Sequence, residues 1–220
     1  MWHIDKSTHR EKGRQVTKDY LNDCCRGADG RYGNIRYDRR DPGNTPTFCE
    51  ADRRAYKKRL INILLENQHH LCCYCLRKLK TAQREEDSDE VVTLEHIIPR
   101  GFTLGQAGRM SYYQDAPGLS PQEVVLTDEY ELPAYDQSGT ALPHKVTYDN
   151  LVASCNGTFP YVKNRTGGKS KICCNEARHE EDAYPVYFLR NISSYIDYLP
   201  NGDIQVKGSV DTSLAGKVEM

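Results

Sequence analysis

Two interleaved sets of residues in this chain have the types and spacing to do chemistry. One is Cys72, Cys75, Cys155 and Cys174; the other is Glu95-His96 with Asn150 and Asn175. The first is the donor set of a four-thiolate metal site: a Cys-x-x-Cys knuckle joined by two cysteines from distant segments. Zinc favours soft, tetrahedral thiolate ligation, and such a site contributes folding energy outright. Cys173 competes with its neighbour Cys174 for the fourth place. The second set suits phosphodiester hydrolysis, which needs a base to activate water and a divalent cation to neutralise developing charge. Histidine supplies a base near neutral pH, and the carboxylate beside it offers oxygen to a hard cation. Adjacent side chains on a strand point to opposite faces. Glu95 and His96 can therefore serve one site only where a strand bulges or ends, and Ile97-Ile98-Pro99 predicts an end.

These residues need elements to position them. Tyr56, Leu60, Ile63, Leu64 and Asn67 recur at steps of three and four, which predicts an amphipathic helix over about 48–68 with Arg53, Arg54, Lys57 and Lys58 between them. Thr47 with Glu50 three residues later reads as its capping box. This helix runs directly into the knuckle. Residues 91–99 read as a strand, and Tyr148–Cys155 as a turn leading into a short strand. Cys173 to Glu180 reads as a helix start. Ser194–Leu199 and Asp203–Lys207 flank Pro200-Asn201-Gly202, a hairpin signal. Residues 1–47 are polar and weakly patterned. Lys12–Leu21 has a short helical pattern, but the glycines and prolines from Gly27 to Pro46 argue for an irregular arm. Residues 101–147 lack a strong period, and a connection that long is either functional or holds small elements of its own.

Composition bounds the answer. The chain has 220 residues, 38% of them hydrophobic, so a core forms but much of the chain must be loop. No apolar run approaches the length of a membrane span, and the first residues lack an apolar signal core, so a cytoplasmic protein with no membrane contact is expected. Six of the nine cysteines form adjacent pairs. Neighbouring cysteines cannot readily bridge each other, so a secreted disulfide framework fits poorly and metal binding in a reducing compartment fits better. The net charge of −1 conceals asymmetry. Residues 1–60 hold 15 basic against 9 acidic side chains, residues 101–150 hold 2 against 7, and Lys163, Arg165, Lys169 and Lys171 lie in a stretch with no acid. Blocks of opposite sign suit a protein that meets a polyanion with one face.

Taken together, Cys72-Cys73-Tyr74-Cys75, Leu94-Glu95-His96-Ile97-Ile98-Pro99, Tyr148-Asp149-Asn150-Leu151, Cys155 and Cys174-Asn175 with Arg178 resemble an HNH endonuclease of the zinc-bearing ββα-metal type. The helix entering His-Leu-Cys-x-Tyr-Cys, the delayed second cysteine segment and the Asn-Gly-Asp-Ile hairpin are similar to the HNH nuclease subunit of Septu-type and retron-associated anti-phage systems. The resemblance covers about residues 55–205. It implies an α+β fold: a small ββα-metal nuclease core with a structural zinc site, a helix before it and a C-terminal β-hairpin after it. The chain would then divide into a basic arm (1–47), a nuclease domain (48–185) with a long insertion (101–147), and a hairpin extension (186–220).

The resemblance also implies roles. His96 is the general base, Glu95 a ligand of catalytic Mg²⁺ or Mn²⁺, and Asn150 a brace of the loop through backbone hydrogen bonds. Asn175 is a second metal ligand, Arg178 a phosphate contact, and Cys72, Cys75, Cys155 and Cys174 hold structural zinc. The expected partners are nucleic acid, DNA or RNA, and an ABC-type ATPase of a defence complex, with the arm and the 48–68 helix as candidate contact surfaces. Three departures from the usual pattern stand out: Glu where Asp is more usual before the histidine, Asn in place of the last His, and long spacings between the motifs. Glu176 and His179 therefore compete with Asn175 for the metal. The competing class is a non-catalytic zinc-binding module for nucleic acid or protein, which explains the cysteines but not Glu95-His96 with Asn150.

Overall fold

Two helices and a short antiparallel strand pair make the core of the protein. The computed structural model describes residues 3–25, 50–80, 92–100, 124–125, 142–155, 174, 194–198 and 204–207. A single 3₁₀ turn, Ser7–His9, leads into α1 (Arg10–Tyr20), which widens at its end into a π-helical segment, Leu21–Cys25. Gly13, Val16, Thr17 and Tyr20 fall on one helical face and are buried. α2 (Glu50–Asn67) follows the expected stripe: Leu60, Ile63, Leu64 and Asn67 are buried. Ile61 and Leu65 are buried as well, because α2 is covered by α1 on one side and by strands on another. Fully burying each such side chain stabilises by roughly 1.5–3 kcal/mol. Tyr20 of α1 meets Tyr56 of α2 edge to face, with ring centroids 5.6 Å apart. The Thr47 cap lies outside the described residues.

The strand pair is β1 (Val92–His96) and, past two shorter strands, β4 (Leu151–Cys155). They run antiparallel, with Val92 opposite Cys155 and His96 opposite Leu151. β1 ends at His96, as the Ile-Ile-Pro sequence predicts. Every residue of β4 is buried. Its edge away from β1 is satisfied by the end of α2: Gln68 Nε2 donates to the Ala153 carbonyl at 2.8 Å and the Ala153 amide donates to Gln68 Oε1 at 2.7 Å. Within the 101–147 segment, β2 (Val124–Val125) and β3 (Leu142–Pro143) pair in parallel, and residues 142–147 are buried. β5 (Ile196–Tyr198) and β6 (Ile204–Val206) form the expected hairpin, with Lys207 Nζ 3.1 Å from Asp197 Oδ1. The connecting Pro200-Asn201-Gly202 lies outside the described residues. The whole is an α+β arrangement.

One expectation needs correction. Residues 3–25 are not an irregular arm: Val16, Tyr20, Leu21, Cys24 and Cys25 belong to the central core. The segment is drawn in by its polar residues as much as by its few apolar ones, because Lys6, Arg10, Arg14 and Thr17 all bond to residues near Tyr148 and Asp149. Composition alone hides this, since the partners are more than a hundred residues away. Residues 26–47 lie outside the described residues.

Candidate functional site

The knuckle forms because the chain reverses twice after α2. His69 and His70 take positive φ of 51° and 60° at the helix end, and Leu76 takes 58° just after Cys75. Left-handed backbone at non-glycine residues costs energy and marks a geometry imposed by its surroundings. Here the surroundings are backbone hydrogen bonds: Cys72 N to Arg77 O at 2.9 Å, Leu76 N to Cys72 O at 3.1 Å, and an antiparallel bridge between Leu71 and Lys78. The Cys73 amide donates to Ala153 O at 3.2 Å and ties the knuckle to β4. β4 ends at Cys155, and Cys174 completes the group.

The sulfurs of Cys72, Cys75, Cys155 and Cys174 all lie within 4.8 Å of one another and could hold a metal ion. Cys75 and Cys155 are 3.9 Å apart, and the Cys155 amide points at Cys72 Sγ from 3.3 Å. Crowding polarises the thiols. Hydrogen bonds from Cys155 first and Cys174 next hold the Cys72 thiol far below its ordinary range. Cys75 and Cys174 are pushed far up, each chiefly through its bond to Cys155. A cation in the centre stabilises the thiolates, which is the donor chemistry of a metal site.

Glu95 and His96 stand at the far end of the same strand pair. Glu95 is 3% exposed and accepts a hydrogen bond from Tyr74 Oη, inside the knuckle, at 3.1 Å. His96 Nε2 lies 2.8 Å from the carbonyl oxygen of Lys145. A carbonyl only accepts, so Nε2 carries the hydrogen and Nδ1 is the basic nitrogen of the neutral ring. Asn150 is fully buried and bonds only to backbone: it accepts from Ile98 N at 2.7 Å and donates to Ile98 O at 3.0 Å and to His144 O at 2.7 Å. One side chain thus fixes both the exit of β1 after His96 and the turn that supplies the Lys145 carbonyl.

The 3₁₀ turn that carries Asn150, Tyr148–Asn150, is itself gripped from α1 and its approach. Lys6 Nζ donates to the carbonyls of Asp149 at 3.0 Å and Leu151 at 2.8 Å, and to that of Tyr148, and it lies 4.3 Å from the centre of the Tyr148 ring. Burial pulls the Lys6 ammonium down to about 7; nearby Asp149 opposes the fall and Arg10 adds to it. Arg10 and Arg14 both pair with the buried Asp149 carboxylate. Tyr148 N donates to Thr17 Oγ1 at 3.2 Å.

No family model matches the chain, and no curated protein or solved structure matches it. Among the described residues, no helix is long and apolar enough to cross a membrane.

Of the residues singled out from sequence, the fold brings Cys72, Cys75, Cys155 and Cys174 together at one end of β1–β4 and sets His96 and Asn150 on one stretch of backbone at the other; Glu95, in regular pairing one residue before His96, meets Tyr74 of the knuckle. Asn175, Arg178 and the competing Cys173, Glu176 and His179 lie outside the described residues. Tyr74 and Asp149, inside the sequence motifs, and Lys6 and Lys145, outside them, take part in the site without a role assigned from sequence. Asp149 stands beside Asn150 in a motif already noted, so its burial was open to inference. Lys6 has no local signal, and Lys145 acts only through its carbonyl.

Proposed function

We propose that the protein is a divalent-metal-dependent HNH endonuclease that hydrolyses phosphodiester bonds, with zinc in its four-cysteine site. One observation supports the nuclease reading most: His96 ends a strand with its Nε2 hydrogen committed to the Lys145 carbonyl, while Asn150 locks both sides of that contact. A histidine so held keeps a fixed tautomer and presents Nδ1 as a base, which a merely packed histidine does not require. Nδ1 takes a proton from water; the oxygen attacks phosphorus, the bond to the leaving oxygen breaks, and that oxygen regains a proton from solvent. Glu95, beside it, supplies an anionic oxygen ligand for Mg²⁺ or Mn²⁺. A cation held there would supply charge to offset the negative charge gathering on the phosphate.

The sulfurs support zinc as the metal. Tetrahedral Zn–S bonds of about 2.3 Å require sulfurs about 3.8 Å apart. The observed group needs little rearrangement to meet this. The resemblance adds a setting: an effector of anti-phage defence in the cytoplasm, working with an ABC-type ATPase on DNA or RNA.

The test compares wild type with His96→Ala on plasmid DNA and total cellular RNA, with and without Mg²⁺. We expect cleavage that needs Mg²⁺ and falls at least about 100-fold in the variant. Equal cleavage by both proteins removes His96 as the base. Zinc-loaded protein that binds nucleic acid or protein yet never cleaves, even with a co-expressed ATPase, favours the non-catalytic module.

A further inference from the structure

One side chain reaches from the four-cysteine half of the site to Glu95. Tyr74 sits between the knuckle cysteines, and its hydroxyl reaches the carboxylate of Glu95. We propose that Tyr74 is a positioning residue that orients Glu95 for the catalytic cation, and so couples the four-cysteine metal site to the hydrolytic one; this rests on the nuclease reading above.

Glu95 is almost completely buried. A carboxylate that is almost completely buried is costly unless it is hydrogen-bonded or paired. A hydroxyl donating to an ionised carboxylate is a charge-assisted bond, stronger and more directional than a neutral one. Residues that hydrogen-bond a ligating carboxylate fix its orientation, and their loss commonly weakens metal binding by 10- to 100-fold. Tyr74 holds that place, and its own position is not adjustable. The residue before it is tied to Ala153 O on β4, Cys72 is tied to Arg77 O, and Leu76 to Cys72 O. Its neighbours Cys72 and Cys75 both belong to the sulfur cluster. A metal ion that gathers the sulfurs therefore also sets the phenol against β1. The ring packs on the core, but packing alone calls for phenylalanine; the hydroxyl is what the carboxylate uses.

The test is Mn²⁺ binding by electron paramagnetic resonance on zinc-loaded wild type, Tyr74→Phe and Glu95→Gln, with zinc content and thermal unfolding measured in parallel. Tyr74→Phe should keep its zinc and its unfolding midpoint, bind Mn²⁺ about tenfold more weakly, and recover near-normal cleavage at saturating Mn²⁺. A structural defect does not produce that recovery. Glu95→Gln should lose Mn²⁺ binding, and adding Tyr74→Phe to it should change nothing more. Normal Mn²⁺ affinity in Tyr74→Phe, with Glu95→Gln defective, overturns the role of Tyr74 alone. Wild type that binds no Mn²⁺, or Glu95→Gln that binds it normally, overturns the metal assignment of Glu95 and this coupling with it.

Discussion

At the scale of single residues, the most demanding feature is Lys6. An ammonium with almost no exposure sits over a tyrosine ring and donates to three carbonyls of one turn. Desolvation disfavours its charge, whereas the carbonyls and Asp149 favour it. The first effect is the larger, and the group is drawn down to about 7 from an ordinary 10.5. Below about pH 7 both the folded and unfolded chains hold the proton. Between about 7 and 10.5 the unfolded chain keeps a proton that the fold releases, so this group makes stability rise with pH. Lys6→Met leaves the carbonyls without their donor and should cost about 3 kcal/mol. The variant also lacks the pH term. In urea titrations of zinc-loaded protein at pH 7 and pH 9, the gap between wild type and Lys6→Met should widen at the higher pH. A gap that stays the same would mean Lys6 remains charged in the fold across this range.

At the scale of elements, α1 and the turn that carries Asn150 behave as one unit. Tyr148 lies so close to α1 that a Cβ added at Gly13 would stand 2.7 Å from its Cε2, and closer still to Cγ and Cδ2. In an isolated helix, Gly→Ala gains about 1 kcal/mol. Here the methyl must displace a ring that is fully buried and hydrogen-bonded at its hydroxyl to Asn67. Overpacking of that kind costs about 1–3 kcal/mol, so Gly13→Ala should lower the thermal midpoint although it improves helix propensity. A raised midpoint would show that Tyr148 can move aside. The legibility of the fold divides along the same line. The α2 stripe, the end of β1 at His96, the C-terminal hairpin and the four cysteines could be read directly, because each depends on local period, local turn chemistry or a distinctive ligand type. The short helical pattern at Lys12–Leu21 was legible too, but the burial of α1 and Lys6 was not. Lys6 is held by carbonyls about 140 residues away, and a backbone carbonyl leaves no mark in a sequence; α1 is held by Asp149 and Tyr148, also more than 130 residues away. Tyr74 was visible as part of the knuckle, but its bond to Glu95 exists only once β1 is laid beside it.

At the scale of the molecule, the parts depend unequally on the metal site. The α1–α2 contact is made by Val16, Tyr20, Leu60 and Leu64 and their neighbours, all buried apolar side chains. The knuckle and the end of β4 have less to hold them: left-handed residues at 69, 70 and 76, a few backbone hydrogen bonds, and the sulfurs. Cysteine thiols must release protons to bind a metal, so a metal held by the four sulfurs should leave as pH falls or when a chelator is added. The strained turn then loses the interaction that offsets its cost. We expect chelation to be selective. Far-UV circular dichroism should keep most of its helical signal, while amide exchange at Leu71–Leu79 and along β1–β4 speeds up by at least about 100-fold, the equivalent of about 2.7 kcal/mol of lost local stability. Cys72→Ser should reproduce this without chelator. Uniform loss of helix and strand together would mean that the metal holds the entire fold. Unchanged exchange at the knuckle would mean that the backbone hydrogen bonds suffice and the sulfurs are structurally dispensable. The selective outcome has a consequence for function. β1 carries Glu95 and His96 at one end and pairs with Cys155 at the other, so loosening the sulfur end should disorder the Glu95–His96 end before the helices melt.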